Sequence, residues 1–207
     1  MKAGDDLILV DGMGGYYEAK ITNPHPKRCE VEIVKQQKEY QKRNFYLHIA
    51  CAPTKNNERF EWFLEKATEI GMDAITPLQC EHSERNTIKA ERLEKVIVSA
   101  IKQSIKAYKP LLNVSTSFKK LLEEQKNFAG QKFIAHCYAT PKKTIPNCYE
   151  KGKDVLILIG PEGDFSKAEV DLAEAAGFIS VSLSSSRLRT ETAALAACHT
   201  FNLLNGI

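Results

Sequence analysis

Apolar and polar residues alternate with period two along "RCEVEIVKQ" (28–36), as in a strand with one covered face. Upstream, "DDLILVDG" is an apolar run ending in a turn signal, and "GGYYEAKITN" reads as a second strand. Together they predict a short β-meander, and the charged stretch "KQQKEYQKR" (35–43) reads as a linker. A meander this small buries little by itself, so it packs on the neighbouring domain or is the remainder of a larger barrel.

From Asn44 the pattern changes to alternating strands and helices. "FYLHIACA" predicts a strand, and residues 58–70 a helix with Phe60, Phe63, Leu64, Ala67 and Ile70 on one face, ended by Gly71. "AITPLQC" is the next strand, and a long helix runs from Lys89 to Tyr108, stopped by Pro110. "LLNVS", a helix around "FKKLLEE", "KFIAHCY" and "VLILIG" come next. A helix from Ser166 to Ala176 closed by Gly177, the strand "ISVSL" and a last helix from Glu191 to Leu204 complete the series. Such alternation predicts an α/β fold, a mostly parallel sheet with helices on both faces. The reading divides the chain into a β domain at 1–42 and an α/β domain at 43–207, with no internal repeat.

At 207 residues and 43% hydrophobic content the chain can bury one sizeable core. Its apolar runs are too short to span a membrane, and Met1 to Asp6 lacks the apolar core of a signal peptide, so a cytoplasmic protein is expected. The six cysteines form no C-x-x-C pair, and Cys80 with His82, or His136 with Cys137, lacks a second half at ligand spacing. No metal is expected. Net charge is only +3, but residues 20–43 hold seven Lys or Arg against three Glu, and residues 85–120 nine against two. Those local excesses point to a polyanion partner. In the long helix, Leu93, Val96, Ile97, Ala100, Ile101 and Ile105 mark the buried stripe. Lys95, Lys102, Lys106 and Lys109 fall in an arc on the other side, either a solvated face or a ridge that tracks a nucleic-acid backbone.

Two further stretches carry candidate chemistry. "VLILIGPEGDF" (155–165) is a strand end, where open α/β sheets bind ligands. Gly160 and Gly163 allow close backbone approach, Pro161 fixes the turn, and Ser166 with Glu169 fits a capping box. Glu162 and Asp164 oppose a phosphate there and suit a cationic or zwitterionic ligand, although a purely structural turn fits equally well. In "VSLSSSRLRTETAAL" (181–195) a serine loop leads to Arg187 and Arg189, then to a helix start that Thr190 or Thr192 can cap. The helix dipole does not favour arginines there, which makes Arg189 a candidate substrate or phosphate contact.

Taken together, "LILIGPEGDFSKAEV" and "VSLSSSRLRTETAAL" resemble the carboxyl-terminal signature of the RsmE-type methyltransferases of the SPOUT class. "ERFEWFLEKATEIGMDAITPL", with Lys66, Glu69 and Gly71, resembles that family's first helix and second strand. "SERN" (83–86) and "KQS" (102–104) resemble its Ser-Glu-Arg loop and Gln-Ser pair, so the likeness spans roughly residues 45–207. Two positions depart from the pattern: Ser184 and Asp164 stand where the family usually has glycine.

The resemblance implies a deep carboxyl-terminal trefoil knot, and a PUA-like β-barrel at the amino end that here lacks its first strands. It implies methylation of a uridine at N3 in small-subunit (16S) ribosomal RNA, with S-adenosyl-L-methionine as cofactor and a homodimer as the working unit. The cofactor contacts it implies are His136, then Ile159, Gly160, Glu162 and Gly163, then Leu183, Ser184, Leu188 and Thr190. Arg189, Glu191 and Glu162 become the catalytic candidates, and Arg85, Lys102, Lys106 and Arg187 the RNA contacts. The chief alternative is an RNA-binding or ribosome-assembly factor of the same fold with weakened catalysis, motivated by Ser184 and the missing strands. A nucleotide-phosphate enzyme fits poorly, because the chain has neither G-x-G-x-x-G nor a G-K-[ST] loop.

Overall fold

The computed structural model describes residues 1–85 and 87–207. Asn86, in the "SERN" stretch, lies outside the described residues.

The amino-terminal strands β1 (Asp6–Val10), β2 (Tyr16–Asn23) and β3 (Glu30–Gln37) form an antiparallel meander in sequence order. Its side chains are covered mainly on β2, where Ala19 and Ile21 are buried, while Ile8, Ile33 and Val34 stay exposed. The β1–β2 turn is built by Asp11, whose Oδ1 accepts the Met13 and Gly15 N–H groups at 2.7 and 2.8 Å. The same turn ties the meander to the rest of the chain. Gly14 N–H donates to the Ala107 carbonyl at 2.8 Å, and Lys109 N–H donates to Gly12 at 2.9 Å. Gly14 has φ +103°, and a Cβ there would sit 2.6 Å from the Tyr108 hydroxyl, so close approach requires glycine.

The larger sheet contains β4 (Leu47–Cys51), β5 (Ala74–Gln79), β6 (Leu111–Leu112), β7 (Thr116–Ser117), β8 (Gln131–Ala135), β9 (Lys143–Thr144), β10 (Val155–Ile159) and β11 (Ile179–Ser182). Its order is β6-β5-β4-β10-β8-β11-β9, with β7 continuing alongside β5, and every pair is parallel. Strand β10 is apolar throughout because both its faces are covered. Val155, Ile157 and Ile159 face a core with α1 (Asn57–Ile70), α2 (Ala90–Ser104) and α5 (Thr190–Asn205), through Phe63, Ile97 and Phe201. Leu156 and Leu158 face the other core with α3 (Phe118–Glu124) and α4 (Lys167–Ala175), through Phe118, Leu121 and Val170. Though later in sequence than β8, β10 inserts between β4 and β8, so the chain changes direction across the sheet at their carboxyl ends. Among the described residues, no helix is long and apolar enough to cross a membrane.

Two sequence expectations need correction. The long helix ends at Ser104 rather than Tyr108, because Ile105 takes a left-handed conformation (φ 54°) and Lys106 N–H closes back on the Ile101 carbonyl. That turn frees 107–109 to hold the meander. It also removes Lys106 from the lysine arc: its Nζ is half-buried, 3.3 Å from the Ile70 carbonyl, while Lys109 pairs with Glu94 at 2.7 Å. The last helix starts with Arg189 at its cap position and no side-chain cap bond, so neither Thr190 nor Thr192 caps it.

Candidate functional site

Where β10 ends, the chain must turn sharply against its own core. Gly160 makes this possible: a Cβ there would lie 3.1 Å from the ring and the N–H of Phe165, which is fully buried. Pro161 then starts a tight turn closed by Asp164 N–H on its carbonyl, and Ser166 and Glu169 complete the expected capping box of α4. Glu169 does a second job, its Oε1 accepting the Glu81 N–H at 2.9 Å and so holding the loop after β5.

Asp164 sits at φ +65°, a conformation that favours glycine and that Asp tolerates better than most residues. Its carboxylate accepts the Phe165 N–H at 2.8 Å and the Cys137 N–H at 2.7 Å, which staples the β8 loop to the β10 loop. From the other side, the Thr190 hydroxyl donates to the Gly160 carbonyl at 3.0 Å, and Arg187 reaches the Glu162 carbonyl at 3.5 Å. The serine loop braces itself: Ser182 Oγ donates to the Ser184 carbonyl, and Ser186 N–H donates to Ser184 Oγ. These three loops enclose a cleft of about 610 Å³, lined by residues 135–137, 159–162 and 181–190 with Lys142, Asp164 and Ala193. It lies beyond the carboxyl ends of β8, β10 and β11, where a doubly wound sheet places its ligand.

The cleft mixes apolar walls, from Ile159, Val181, Leu183 and Leu188, with a few directed polar groups. His136 is buried, its Nε2 3.0 Å from Ser180 Oγ and its Nδ1 without a partner among the described residues. Burial, reinforced by the Lys142 ammonium, holds this imidazole below its ordinary pKa, which favours its neutral form. Lys142 itself is engaged by the His136 and Tyr138 carbonyls. Glu162 accepts the Lys55 N–H at 2.9 Å through Oε1, while its Oε2 is buried and, among the described residues, unpartnered. Glu191 Oε1 stands 3.8 Å from Arg59 Nε, and its Oε2 is buried with no hydrogen-bond partner among the described residues. Both carboxylates lie near Cys51, whose thiol pKa is raised first by burial and then by these two charges.

Sequence comparison places this geometry. A family model for the RNA methyltransferase domain matches residues 41–202. The chain belongs to that RNA methyltransferase family. The model of its PUA domain matches residues 1–34. The chain is 33% identical over 178 residues to the ribosomal RNA small subunit methyltransferase E of Mesomycoplasma hyopneumoniae (strain 232), covering 83% of this chain and 75% of that protein. A probable rRNA-methyltransferase from Porphyromonas gingivalis superposes with TM-score 0.91 at 44% identity, over 100% of this chain and 87% of that one. A putative methyltransferase from Legionella pneumophila, solved with its cofactor SAM, has TM-score 0.86 at 29% identity, over 98% and 84%. The ribosomal RNA small subunit methyltransferase E from Neisseria gonorrhoeae, bound to S-adenosyl methionine, has TM-score 0.86 at 25% identity, over 99% and 85%.

Within this methyltransferase fold the residues singled out by sequence do not all reach one place. His136, Ile159, Gly160, Glu162, Leu183, Ser184, Leu188 and Thr190 line the cleft, together with Arg187 and Arg189. Gly163 does not line it; it packs against His82, where a Cβ would meet the Cβ of that histidine at 3.0 Å. Glu191 lines a second cleft, on the far side of the Arg187–Arg189 segment. Arg85 is occupied structurally, donating to Asn57 Oδ1 at 2.6 Å and to the Lys55 carbonyl at 2.9 Å, on the same residue whose N–H holds Glu162. Lys102 is exposed on α2, and Lys106 is folded inward. Ser184 and Asp164 both line the cleft; Ser184 Oγ accepts the Ser186 N–H, and the Asp164 carboxylate accepts the Phe165 and Cys137 N–H groups. Sequence reasoning missed the staple at Asp164; a non-glycine residue at a glycine position next to a turn was the available signal. Among the described residues, no group of three His, Cys, Asp or Glu is placed to hold a metal ion.

Proposed function

We propose that this chain is an S-adenosyl-L-methionine-dependent ribosomal RNA methyltransferase acting on N3 of a uridine in the small subunit. The observation that carries the reading is the cleft built from three loops at the carboxyl ends of β8, β10 and β11. It suits a zwitterionic cofactor on three counts. Its volume is that of a small-ligand site. Its apolar walls offer an adenine a dry surface, and the unpartnered Glu162 Oε2 offers a carboxylate to a cation. His136, Ile159, Gly160, Glu162, Leu183, Ser184, Leu188 and Thr190 would hold the cofactor, largely through main-chain groups. We extend the reading to a trefoil knot in which the segment through 183–205 passes the 160–164 loop, to units at 1–42 and 43–207, and to a cytoplasmic homodimer whose partner completes the substrate site.

When bound, S-adenosyl-L-methionine supplies a methyl group on a sulfonium, which departs as a neutral thioether. The chain's residues would hold the uracil with its N3 toward the cofactor cleft, so that proximity and alignment favour transfer. The N3 proton would pass to a carboxylate, for which Glu162, at the cofactor cleft, and Glu191, lining the second cleft, are the candidates. Arg189, which lines both clefts, lies where it would stabilise charge developing on the uracil carbonyls. Arg187 and Lys102 are the remaining RNA contacts of this reading, and Arg85 acts by fixing the Lys55 segment behind Glu162.

The test is single-turnover methylation of small-subunit RNA, with the product nucleotide mapped by mass and cofactor binding measured alongside. Arg189→Ala and Glu191→Ala should each slow transfer about a hundredfold or more while binding cofactor normally. Near wild-type rates in both would remove the catalytic assignment, and a methyl group found at another atom would remove the N3 assignment.

A further inference from the structure

His136 lines the cofactor-sized cleft, and two side chains that do not line it reach it through this ring. Ser180, on β11, donates its hydroxyl to Glu174 Oε1 of α4 at 2.6 Å, and His136 Nε2 lies 3.0 Å from the same serine oxygen. The directions of these bonds follow from their chemistry. An ionised carboxylate has no proton to give, and 2.6 Å is the length of a hydroxyl bonded to one. The single Ser180 proton is thus committed to Glu174, and the serine oxygen accepts from His136 Nε2–H. That assigns the neutral imidazole to its Nε2–H tautomer and leaves Nδ1 as a lone-pair acceptor. Nδ1 is buried and has no partner among the described residues. The relay therefore runs from exposed Glu174, through half-buried Ser180, to a bare acceptor on a buried ring.

A buried acceptor left bare is unfavourable, and on a residue of a ligand cleft the group that can satisfy it is a donor of the ligand. We propose that Glu174 and Ser180 are positioning residues that hold His136 in the tautomer whose Nδ1 accepts a hydrogen bond from an uncharged O–H or N–H group of the bound cofactor. The proposal rests on the methyltransferase reading and deepens it, by naming the residues that set the polarity of one cofactor contact. S-adenosyl-L-methionine carries two kinds of uncharged donor, its ribose hydroxyls and its adenine amine. Its ammonium is the less suitable partner, because the Lys142 ammonium already sits on the His136 carbonyl at 2.9 Å. In the opposite tautomer an Nδ1–H would face the cofactor's donor, so the relay decides between attraction and repulsion at one atom. A purely structural role, tying β11 and α4 to the end of β8, would not depend on which ring nitrogen carries the proton.

The chain has five histidines, few enough for nitrogen NMR of the 15N-histidine-labelled protein, with His136→Asn identifying the signals of this ring. The cofactor-free wild type should show a protonated Nε2 and a bare Nδ1, and adding S-adenosyl-L-homocysteine should move the Nδ1 signal to a hydrogen-bonded position. Glu174 is exposed, so Glu174→Ala tests the relay without disturbing the core. It frees the Ser180 proton to donate to Nε2, so the Nδ1–H tautomer should appear while the melting temperature stays near wild type. Affinity for S-adenosyl-L-homocysteine, read by calorimetry, should fall about tenfold in Glu174→Ala and in Ser180→Ala, and Ser180→Thr should recover it. Of the 2′-deoxy, 3′-deoxy and N6,N6-dimethyl analogues of that ligand, at least one should bind the wild type about tenfold more weakly than the parent compound. Its deficit should vanish in His136→Phe, and which analogue it is separates a ribose hydroxyl from the adenine amine. An Nδ1–H tautomer in the wild type, or a tautomer unchanged in Glu174→Ala, overturns the proposal. Analogue deficits that all persist in His136→Phe overturn it alone, whereas a wild-type chain that binds no S-adenosyl-L-homocysteine overturns the cofactor reading as well.

Discussion

Replacing Asp164 separates a stapling role from a mere charge effect. Its carboxylate accepts two backbone N–H groups, from Phe165 at 2.8 Å and from Cys137 at 2.7 Å. Hydrogen bonds to a charged acceptor contribute about 1.5–3 kcal/mol each, and water can replace part of the one at exposed Cys137. Their combined loss is therefore about 2–3 kcal/mol. Backbone strain adds a second effect of known sign. At φ +65°, alanine costs about 1 kcal/mol more than glycine. Asp164→Ala should then destabilise by about 3 kcal/mol, Asp164→Gly by about 2, and Asp164→Asn, which keeps one acceptor oxygen and tolerates the conformation, by about 1. With a urea dependence of roughly 2–3 kcal/mol per molar for a chain of this size, the alanine midpoint drops by about 1 M. Cofactor affinity, read by calorimetry, should fall in the same order, because the staple fixes two loops of the cleft. An alanine variant as stable as wild type, or a glycine variant less stable than alanine, would refute the reasoning.

Other substitutions probe the same frame. His48 is buried 2.7 Å from Thr76 Oγ1, and desolvation lowers its pKa from 6.5 to about 4. The unfolded chain therefore takes up the proton first, so stability is full above about pH 6.5 and falls by about 3 kcal/mol toward pH 4. Urea midpoints of His48→Gln across that window should lack this loss, and parallel curves for the two proteins would count against it. Gly160→Ala forces a Cβ to within 3.1 Å of buried Phe165; we expect a loss of about 1–3 kcal/mol by thermal denaturation and a weaker cofactor isotherm. Thr190→Val keeps the volume but deletes the bond to the Gly160 carbonyl, which should cost about 1 kcal/mol in the same melts. Ser166→Ala removes half of the α4 capping box and should lower the urea midpoint by an amount equivalent to about 1 kcal/mol, with cofactor affinity nearly unchanged.

Much of this molecule is written locally. The run "VLILI" specifies a strand covered on both faces, since an apolar residue at every position suits burial on both sides and no surface position. Ser166 and Glu169 specify a helix start because a capping box needs only residues three apart. The motifs around 160 and 187 likewise mark two cleft-lining loops, since turns need glycine and proline at fixed offsets. What sequence could not fix depends on contacts between distant segments. Ile105 ends α2 against a continuing helical pattern, because the Tyr108 segment is drawn to the Gly12–Gly14 turn of the meander. Lys106, by its spacing one of a row of lysines on one helix face, is folded inward by that stop. Asp164 is by sequence an acid in a ligand loop, and its partner Cys137 lies 27 positions away. Trp62 is by sequence part of the helical pattern of α1, and only the fold brings Arg187 and Arg189, from the far end of the chain, to line the same cleft. Short-range periodicity and capping act within one or two turns of chain. Charge placement, staples and cleft walls depend on which segments the parallel sheet brings together, and β10 inserting between β4 and β8 is decided by the packing of the whole sheet.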